Sequence, residues 1–485
     1  MEKYQTSRYK LEIEEIAKGG PGGYESTYLI KEGENAHENL YTLLEQTFRG
    51  ILLPANNRVI RQRNAGSLID ALNKNKKIGI ASGFKPSGAY HFGHKSASST
   101  LAFFQRNGAQ VFVPVADVEC QMAKEKPEQY FLTAADNLVD WGANGVNLDA
   151  SHVYLQSEES RVFSISYKIA PKLEFGDALD IYGAKKLLFG EPEKGKPAEF
   201  PFIFSGITQV ADILLPQHKD FGNNHSFMVS GPDQDGHMKM AILLTKRTLE
   251  DRIDLDGVGE VPSSFYIPHI RGLTGDKASS SKPETTIYLG SGNPIVLPEN
   301  KNIVGWRYDL DIDERVKRNL NMMDKALKET QEALERCTLD MVRYIDFFHK
   351  HSKVSFKELC GSNKYKELQE SLEKTQTSDE AERVQNQIDQ FLLNECKSAG
   401  QNNIQLVREN LSDALKDHQR KRQAVLSYAV EKENYRDPGA WTTDNGIVEE
   451  PSFWEVPDKA RVDPALRNKT QWFNIVASMK DKIIP

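Results

Sequence analysis

The hydrophobic positions between about residue 66 and residue 300 fall into short apolar runs separated by amphipathic stretches. The runs "KIGIA" and "AQVFVPVAD" have the length and composition of buried strands. Between them, "GHKSASSTLAFFQRNG" is typical of a helix that ends at Gly108. A strand, a helix and a strand at this spacing predict a βαβ unit and therefore a parallel sheet. The later runs "HVYLQS", "HSFMVSG" and "SFYIPHI" predict further strands.

After about residue 300 the pattern becomes helical. Ile404, Val407, Leu411 and Leu415 recur at spacings of three and four residues, which places them on one face of a long helix. The charged, Gln-rich stretch at about 352–392 is typical of a solvated helical hairpin. We therefore predict an α/β fold: a Rossmann-type parallel-sheet nucleotide-binding catalytic domain followed by an α-helical domain.

The same pattern predicts the domain boundaries. They are an N-terminal extension at 1–65, the catalytic domain at 66–300 with an inserted helical segment at about 150–200, the helical domain at 301–432, and a tail at 433–485. The tail is irregular, and we expect it to pack on the body. Its expected anchors are Trp441, Trp454 and Trp472.

Composition narrows the class of protein. The 485 residues carry 39% hydrophobic residues and a net charge of -7, which supplies a large core and argues against a generally basic surface. A local basic patch could still bind nucleic acid. No apolar stretch approaches the ~20 residues of a membrane span, and the N-terminus lacks the apolar middle of a signal peptide. The cysteines are far apart, which disfavours a zinc site or disulfides and indicates a reducing cytoplasm.

The stretch "SGFKPSGAYHFGHK" follows the first predicted strand and leads into its helix. A helix N-terminus offers unpaired N–H groups and the positive end of the helix dipole, and both favour an anion. Gly93 lets a base or a phosphate chain approach the backbone, while His91 and His94 can donate hydrogen bonds to phosphate oxygens. A capping or core role would explain either histidine alone. The two together after a glycine-rich turn indicate a phosphate site.

A second polar loop, "SGPDQDGH", follows the strand "HSFMV". Gly231 permits a close backbone approach, Asp233 can accept hydrogen bonds from ribose hydroxyls, and Gln234 offers both a donor and an acceptor. Taken alone, the loop could equally be an acidic turn. An EF-hand is disfavoured because its glutamate at position 12 is missing.

A third loop, "LTGDKASSSKPETTIYL", is rich in serine and lysine. Lys277 is suited to neutralising a polyphosphate, and the hydroxyls of Ser279 and Ser281 could hydrogen-bond it. By composition alone, such a segment is more often a flexible solvated loop. The order of the three loops decides between these interpretations.

H-x-G-H after the first strand, G-x-D-Q after a later one and K-x-S-x-S beyond it resemble the class I aminoacyl-tRNA synthetases. More closely, these segments and "TQVADILLP" are similar to the tryptophanyl-tRNA synthetase family of the archaeal and eukaryotic type. The resemblance covers about residues 66–300 well and the helical region to about 430 loosely. It implies ATP as a substrate with Mg²⁺ on its phosphates, L-tryptophan and tRNA(Trp) as partners, a homodimer and a cytoplasmic location.

The resemblance also implies roles for individual residues. The catalytic residues at the phosphates would be His91, His94, Lys277, Ser279 and Ser281. The ATP-binding residues would be Gly83, Gly93, Gly231 and Asp233. The amino-acid-binding residues would be Glu119, Gln209 and Gln234, with Glu119 accepting the indole N–H. No protein-built metal site is expected.

Besides Ser280, which replaces the third motif's second lysine, this sequence departs from the family pattern at three further positions. Ala278 stands where the third motif usually has methionine, which loosens the packing of that loop. Ala81 and Cys120 stand where this branch often carries an aromatic residue and a tyrosine. These two changes bear on tryptophan specificity and leave the expected ATP site intact.

Several alternatives remain open. A tyrosine-specific relative shares the fold and the first motif, and a non-ligating paralogue could keep the nucleotide pocket and bind nucleotide or RNA. A dehydrogenase is disfavoured because no G-x-G-x-x-G follows the first strand. We expect the helical region to read the anticodon. Its "HQRKRQ" segment is either an RNA backbone contact or a solvated helix end.

Overall fold

A computed structural model describes residues 61–123, 125–182, 201–267, 269–280, 285–296, 303–308, 311–344, 362–373, 378–400, 402–434 and 472–479. The strands in these ranges are β1 (Arg61–Arg63), β2 (Ile78–Ala81), β3 (Gln110–Val115), β4 (Ser151–Leu155), β5 (His225–Ser230), β6 (Ser263–Tyr266), β7 (Asn293–Val296) and β8 (Ile303–Arg307).

The helices of the first part are α1 (Ala65–Asn73), α2 (Phe92–Arg106), α3 (Asp117–Met122), α4 (Pro127–Ala143), α5 (Ser160–Ile169), α6 (Phe175–Tyr182), α7 (Pro201–Leu214) and α8 (Asp235–Glu250). Those of the second part are α9 (Ile312–Glu329), α10 (Gln331–Tyr344), α11 (Asn363–Glu373), α12 (Ser378–Ser398), α13 (Asn403–Asn434) and α14 (Trp472–Ser478). In the described ranges, no helix is both long enough and apolar enough to cross a bilayer.

The main sheet has the order β1-β6-β5-β2-β3-β4, and its strands from β6 to β4 run parallel. Strands β2 and β4 are buried along their whole length because helices cover both faces of the sheet. Continuous apolar runs are typical of such doubly covered parallel strands. The predicted Rossmann-type α/β class is confirmed.

The chain reverses its direction of winding at β2. From β2 it moves outward to β3 and β4, and then returns to β5 and β6 on the other side. The loops after β2 and β5 therefore diverge to opposite faces and leave a crevice at the carboxyl ends of these strands. Open parallel sheets bind ligands at such switch points.

Two strands lie where the sequence did not predict them. β1 falls within the segment assigned to the extension, yet it pairs antiparallel with β6 and completes the sheet edge. β8 lies beyond residue 300 and forms a hairpin with β7. The remainder of the extension, up to residue 60, lies outside the described residues, as does 183–200 of the inserted segment.

The second part is helical, as predicted. Ile404, Val407, Leu411 and Leu415 are buried on one face of α13. The charged stretch forms the helix pair α11 and α12, which contact each other. In the tail, Trp472 is buried and its indole N–H donates to Asp149 at 2.8 Å, so α14 packs on the body. The other tail tryptophans, Trp441 and Trp454, lie outside the described residues.

Two residues of the segment "HQRKRQ", His418 and Arg422, are buried, so they neither contact RNA nor form a solvated helix end. His418 is 7% exposed and Arg422 is fully buried, because both face α4 from α13. Arg420, by contrast, has an 80% exposed side chain. The sequence prediction was wrong for the two buried residues, since their partners lie far away in the chain.

Candidate active site

A cavity of about 710 Å³ opens in the crevice between the carboxyl ends of β2 and β5. Its volume lies in the range of roughly 300–1,000 Å³ that is usual for ligand pockets. The predicted site residues that line it are Gly83, His91, Gly93, His94, Glu119, Gln209, Gly231, Asp233, Gln234, Lys277 and Ser279. Ser281 lies outside the described residues. Residues more than 190 positions apart in the sequence therefore converge on a single cavity.

The two histidines form the N-terminal cap of α2. His91 Nδ1 accepts a hydrogen bond from the Gly93 N–H at 3.0 Å, and His94 Nδ1 accepts one from the His91 N–H at 3.4 Å. The imidazole rings stack with their centroids 4.1 Å apart. Because each Nδ1 is an acceptor, each neutral ring carries its proton on Nε2.

Both histidines are neutral near pH 7. Burial, and then the charges of His94 and Lys277, hold the pKa of His91 well below its usual value of 6.5. Burial lowers the pKa of His94 to about 4, although the Asp140 carboxylate acts in the opposite direction. The pair therefore presents Nε2–H donors without carrying a charge of its own.

Two of the predicted glycines are required by close packing. A Cβ on Gly83 would lie 2.0 Å from the carbonyl oxygen of Pro114 on the neighbouring strand. A Cβ on Gly231 would lie 2.6 Å from an Asp233 carboxylate oxygen. A side chain at either position would displace the loop that carries the site.

The second and third predicted loops meet at an ion pair. Lys277 Nζ lies 2.6 Å from Asp233 Oδ2, and His269 Nε2 lies 3.4 Å from the other carboxylate oxygen. Although burial raises the pKa of Asp233, the hydrogen bond and charge of Lys277 lower it overall. Two residues after this lysine, the Ser279 N–H donates a hydrogen bond of 3.1 Å to the Thr286 hydroxyl, which holds the backbone of the loop in place.

The cavity is also lined by a buried carboxyl group. Asp212 on α7 is 3% exposed and accepts hydrogen bonds from the Tyr154 hydroxyl at 2.8 Å and from the Gln156 amide. Burial raises the pKa of Asp212 to about 7. One turn earlier on α7, the Gln209 amide donates to Gln234 at 2.7 Å. This part of the cavity can therefore recognise a polar hydrogen within an otherwise apolar pocket.

Glu119 lies nearer the cavity mouth than Asp212. Its carboxylate is 3.6 Å from Lys85 Nζ, which lies closer still to Glu125 at 2.9 Å. Burial raises the pKa of Glu119, and the Lys85 charge offsets part of that rise. Of the departures from the family pattern, Ala81 lines the cavity, and Cys120 is a buried thiol.

Asp212, Gln156, Lys85 and His269 line the cavity but were not predicted as site residues. For one of them, Asp212, the sequence did contain a signal of its place in the site. Asp212 follows Gln209 by three residues in the apolar helix "PFIFSGITQVADIL", so both polar side chains share the face that meets the cavity. The other residues sit at strand ends or in loops, where only the assembled sheet identifies them.

Within the described ranges, no group of three or more His, Cys, Asp or Glu side chains could hold a metal ion. The carboxylate nearest the phosphate end, Asp233, is already paired with Lys277.

The family model and the curated relatives that match this chain all describe tRNA synthetases. Residues 73–296 match the family described as tRNA synthetases class I (W and Y). A tryptophan–tRNA ligase of Methanocaldococcus jannaschii is 32% identical over 238 residues, which cover 48% of this chain and 60% of that protein. One from Hyperthermus butylicus is 29% identical over 296 residues, which cover 59% of this chain and 71% of that protein. The match thus spans somewhat over half the length of such curated relatives.

Solved structures share the fold. The crystal structure of tryptophanyl-tRNA synthetase from Aeropyrum pernix covers 80% of this chain and 89% of its own, with 21% identity and a TM-score of 0.51. That of a tryptophanyl-tRNA synthetase from Encephalitozoon cuniculi, bound to tryptophan, covers 85% of this chain and 96% of its own, with 13% identity and a TM-score of 0.52.

Proposed function

Because residues 73–296 match the family of class I tRNA synthetases of the W and Y type, we propose that this chain belongs to that family and is a tryptophan–tRNA ligase. The observation that supports this proposal best is that the H-x-G-H, G-x-D-Q and K-x-S loops converge on one cavity. The same cavity is lined by the buried carboxyl group of Asp212. ATP occupies the end lined by His91, His94 and Lys277. L-Tryptophan occupies the end lined by Gln209 and Asp212.

The first half-reaction forms an adenylate. A tryptophan carboxylate oxygen attacks the α-phosphorus of ATP, the bond from that phosphorus to the bridging oxygen breaks, and pyrophosphate leaves. The chain supplies positioning and charge stabilisation instead of a covalent intermediate. The Nε2–H groups of His91 and His94 donate to phosphate oxygens on which negative charge increases. Lys277 leaves Asp233 to neutralise the departing pyrophosphate.

The second half-reaction transfers the amino acid. A terminal ribose hydroxyl of tRNA(Trp) attacks the carbonyl carbon of the adenylate, and AMP leaves. Mg²⁺ on the ATP phosphates would supply further charge neutralisation. The helical part from α9 to α13 is the expected anticodon-reading region, and the enzyme acts in the cytoplasm as a homodimer.

The buried carboxyl group recognises the amino acid side chain. Asp212 keeps acceptor capacity beyond its bonds to Tyr154 and Gln156, since even a protonated carboxyl group retains lone pairs on both oxygens. The indole N–H is a donor without acceptor capacity. Asp212 thus joins Glu119 as a candidate acceptor for that hydrogen, and its deeper position favours it.

The test is amino-acid-dependent exchange of labelled pyrophosphate into ATP, with each of the twenty amino acids in turn. A response to tryptophan alone supports the proposal. A response to tyrosine identifies the tyrosine-specific relative. Silence with every amino acid, in protein whose circular dichroism and cooperative unfolding establish a native fold, favours the non-ligating paralogue.

A further inference from the structure

A buried junction of polar side chains connects α13, the longest helix of the second part, to the start of α2. His418 and Arg422 lie one turn apart on α13 and face α4. Arg422 contacts Asp136 and Asp140, each at 2.5 Å, and all three side chains are fully buried. A buried group of this kind has a strict geometry, because displacement would leave a charge without its partner.

His418 joins this junction to Tyr90, the residue directly before His91. Its Nε2 lies 2.7 Å from Asp140 Oδ1, and burial lowers the pKa of His418 to about 4. The neutral ring therefore donates its Nε2–H to the carboxylate. The same ring stacks on Tyr90 with centroids 5.9 Å apart and planes within 9° of parallel.

Tyr90 is in turn bound to the phosphate loop at several points. Its hydroxyl lies 2.7 Å from the Ser98 hydroxyl, and its ring centroid lies 5.7 Å from that of His94. The Ser98 hydroxyl donates to the His94 carbonyl at 3.0 Å. The Tyr90 carbonyl accepts from the Leu289 and Gly290 N–H groups at 3.0 and 3.1 Å. Any shift of the Tyr90 ring therefore reaches the backbone that orients His94.

The junction has little free space. A Cβ on Gly290 would lie 2.6 Å from the Asp140 carboxylate and 3.2 Å from Tyr90. Asp140 also acts on His94 through its charge, which opposes the burial that lowers the pKa of His94. Although burial raises the pKa of Asp140, Arg422 and the His418 hydrogen bond lower it overall, so the carboxylate stays ionised.

We infer that His418 and Asp140 are positioning residues for the histidine pair, so that the helical part of the chain supplies the support of the phosphate site. Neither residue lines the cavity. His418 acts through Tyr90, and Asp140 acts through His418 and through its charge on His94. The inference rests on the proposed function only for its kinetic readout. A misplacement of about 1 Å at His94 can slow a reaction that depends on positioning by roughly a hundredfold.

The test compares His418→Leu, His418→Gln and Arg420→Ala in the full chain. Leucine removes both the donor and the flat ring, whereas glutamine keeps a planar group and a donor near the Nε2 position. Arg420→Ala is the matched control, since Arg420 lies on the same helix with an 80% exposed side chain. We expect kcat for pyrophosphate exchange to fall about tenfold in His418→Leu with little change in KM for tryptophan. We expect His418→Gln to recover most of that loss and Arg420→Ala to match the wild type.

A second readout separates this inference from the proposed function. Histidine ring signals in NMR spectra, assigned through the His91 and His94 variants, report the two rings without any substrate. His418→Leu should shift the His94 signals, and Arg420→Ala should not. If the wild type catalyses no exchange but the shift is observed, the positioning role stands and the function falls. Unmoved His94 signals, or an unchanged kcat in folded His418→Leu protein, would overturn the positioning role, as would a loss that glutamine does not recover.

Discussion

Lys277 is bound across the nucleotide end of the cavity to Asp233, with 2.6 Å between Nζ and Oδ2. Its ammonium group has to leave this carboxylate before it can neutralise a phosphate. The lysine side chain is 50% exposed, so the exchange of partners requires little burial or desolvation. The third loop can therefore change partners without unfolding.

Lys277→Met removes this charge while keeping much of the side-chain volume. We expect kcat for pyrophosphate exchange to fall by roughly a hundredfold or more, because a preorganised group that stabilises transition-state charge is lost. The free energy of unfolding should change by less than about 1 kcal/mol, since the pair is half-exposed. Lys364→Met, which breaks an exposed pair with Glu367 on α11, is the control and should leave exchange unchanged. Equal effects of the two variants would contradict the assignment.

The protonation of the histidine pair gives a second prediction. His94→Asn keeps an acceptor near Nδ1 for the His91 N–H, whereas His94→Gln keeps a donor near Nε2. We expect the asparagine variant to lose roughly a hundredfold in kcat, as expected when one transition-state donor is removed. The glutamine variant should lose much less. Exchange kinetics at saturating ATP distinguish the two, and the reverse order would mean that capping rather than donation is the role of His94.

Asp212 predicts a dependence of stability on pH. Its pKa rises from 3.8 to about 7 on folding, so the folded state binds the proton more tightly than the unfolded chain. This contribution is fully present below about pH 4 and is lost as the pH rises through about 7. A shift of about three units corresponds to roughly 4 kcal/mol of unfolding free energy.

Asp212→Asn should abolish this part of the pH dependence, because an amide does not titrate and the Gln156 amide can turn over to accept from it. We expect the variant to gain unfolding free energy relative to the wild type as the pH rises from 5 to 8, measured by urea denaturation at each pH. It should also raise the KM for tryptophan more than the KM for ATP. Parallel pH profiles for variant and wild type would refute a raised pKa at this residue.

The edge strand β1 gives a fourth prediction. The guanidinium of Arg63 makes two bonds to Asp235 at the start of α8, one of them 2.9 Å long, and the Tyr266 hydroxyl donates to the same carboxylate at 2.7 Å. Arg63→Met removes this guanidinium and leaves Lys239, whose Nζ lies 3.3 Å from the carboxylate, as the neighbouring cation, so the expected cost is up to about 3 kcal/mol.

Adding Asp235→Asn to Arg63→Met should recover part of the loss, as a double-mutant cycle of urea unfolding would measure. Because α8 directly follows Asp233 and Gln234, we also expect a higher KM for ATP in the single variant. Strict additivity of the two substitutions would mean that the pair contributes nothing beyond its separate residues.

The sequence predicted the central sheet because its strands are buried on both faces and read as continuous apolar runs. It failed at β1, whose residues "RQR" show no such pattern. Arg63 is buried there only because Asp235, 172 positions later, neutralises it. The error at His418 has the same cause, since its partner Asp140 is 278 positions away.

The site was predicted where chemistry and local spacing coincide, in loops that join a strand to a helix. His91 and His94 are such a case, because a helix start fixes both their neighbours and their orientation. Asp212 was missed as a cavity-lining residue because its burial and its hydrogen bonds depend on Tyr154 and Gln156, from another strand and its following turn. Periodicity along one helix does not contain that information.

The junction of Asp136 and Asp140 with Arg422 limits how this protein could be divided. Asp136 and Asp140 lie on α4, whereas Arg422 lies on α13. Without the other part, each part would therefore keep a buried charge that has no counter-ion. A fragment ending near residue 296 would expose a surface of α4 that is acidic and partly apolar. Recombination that exchanged helical parts between related enzymes would succeed only where the incoming helix carried an arginine in register. The two parts are therefore joined by a buried group of ion pairs, even though the sheet and the helices look like separate domains.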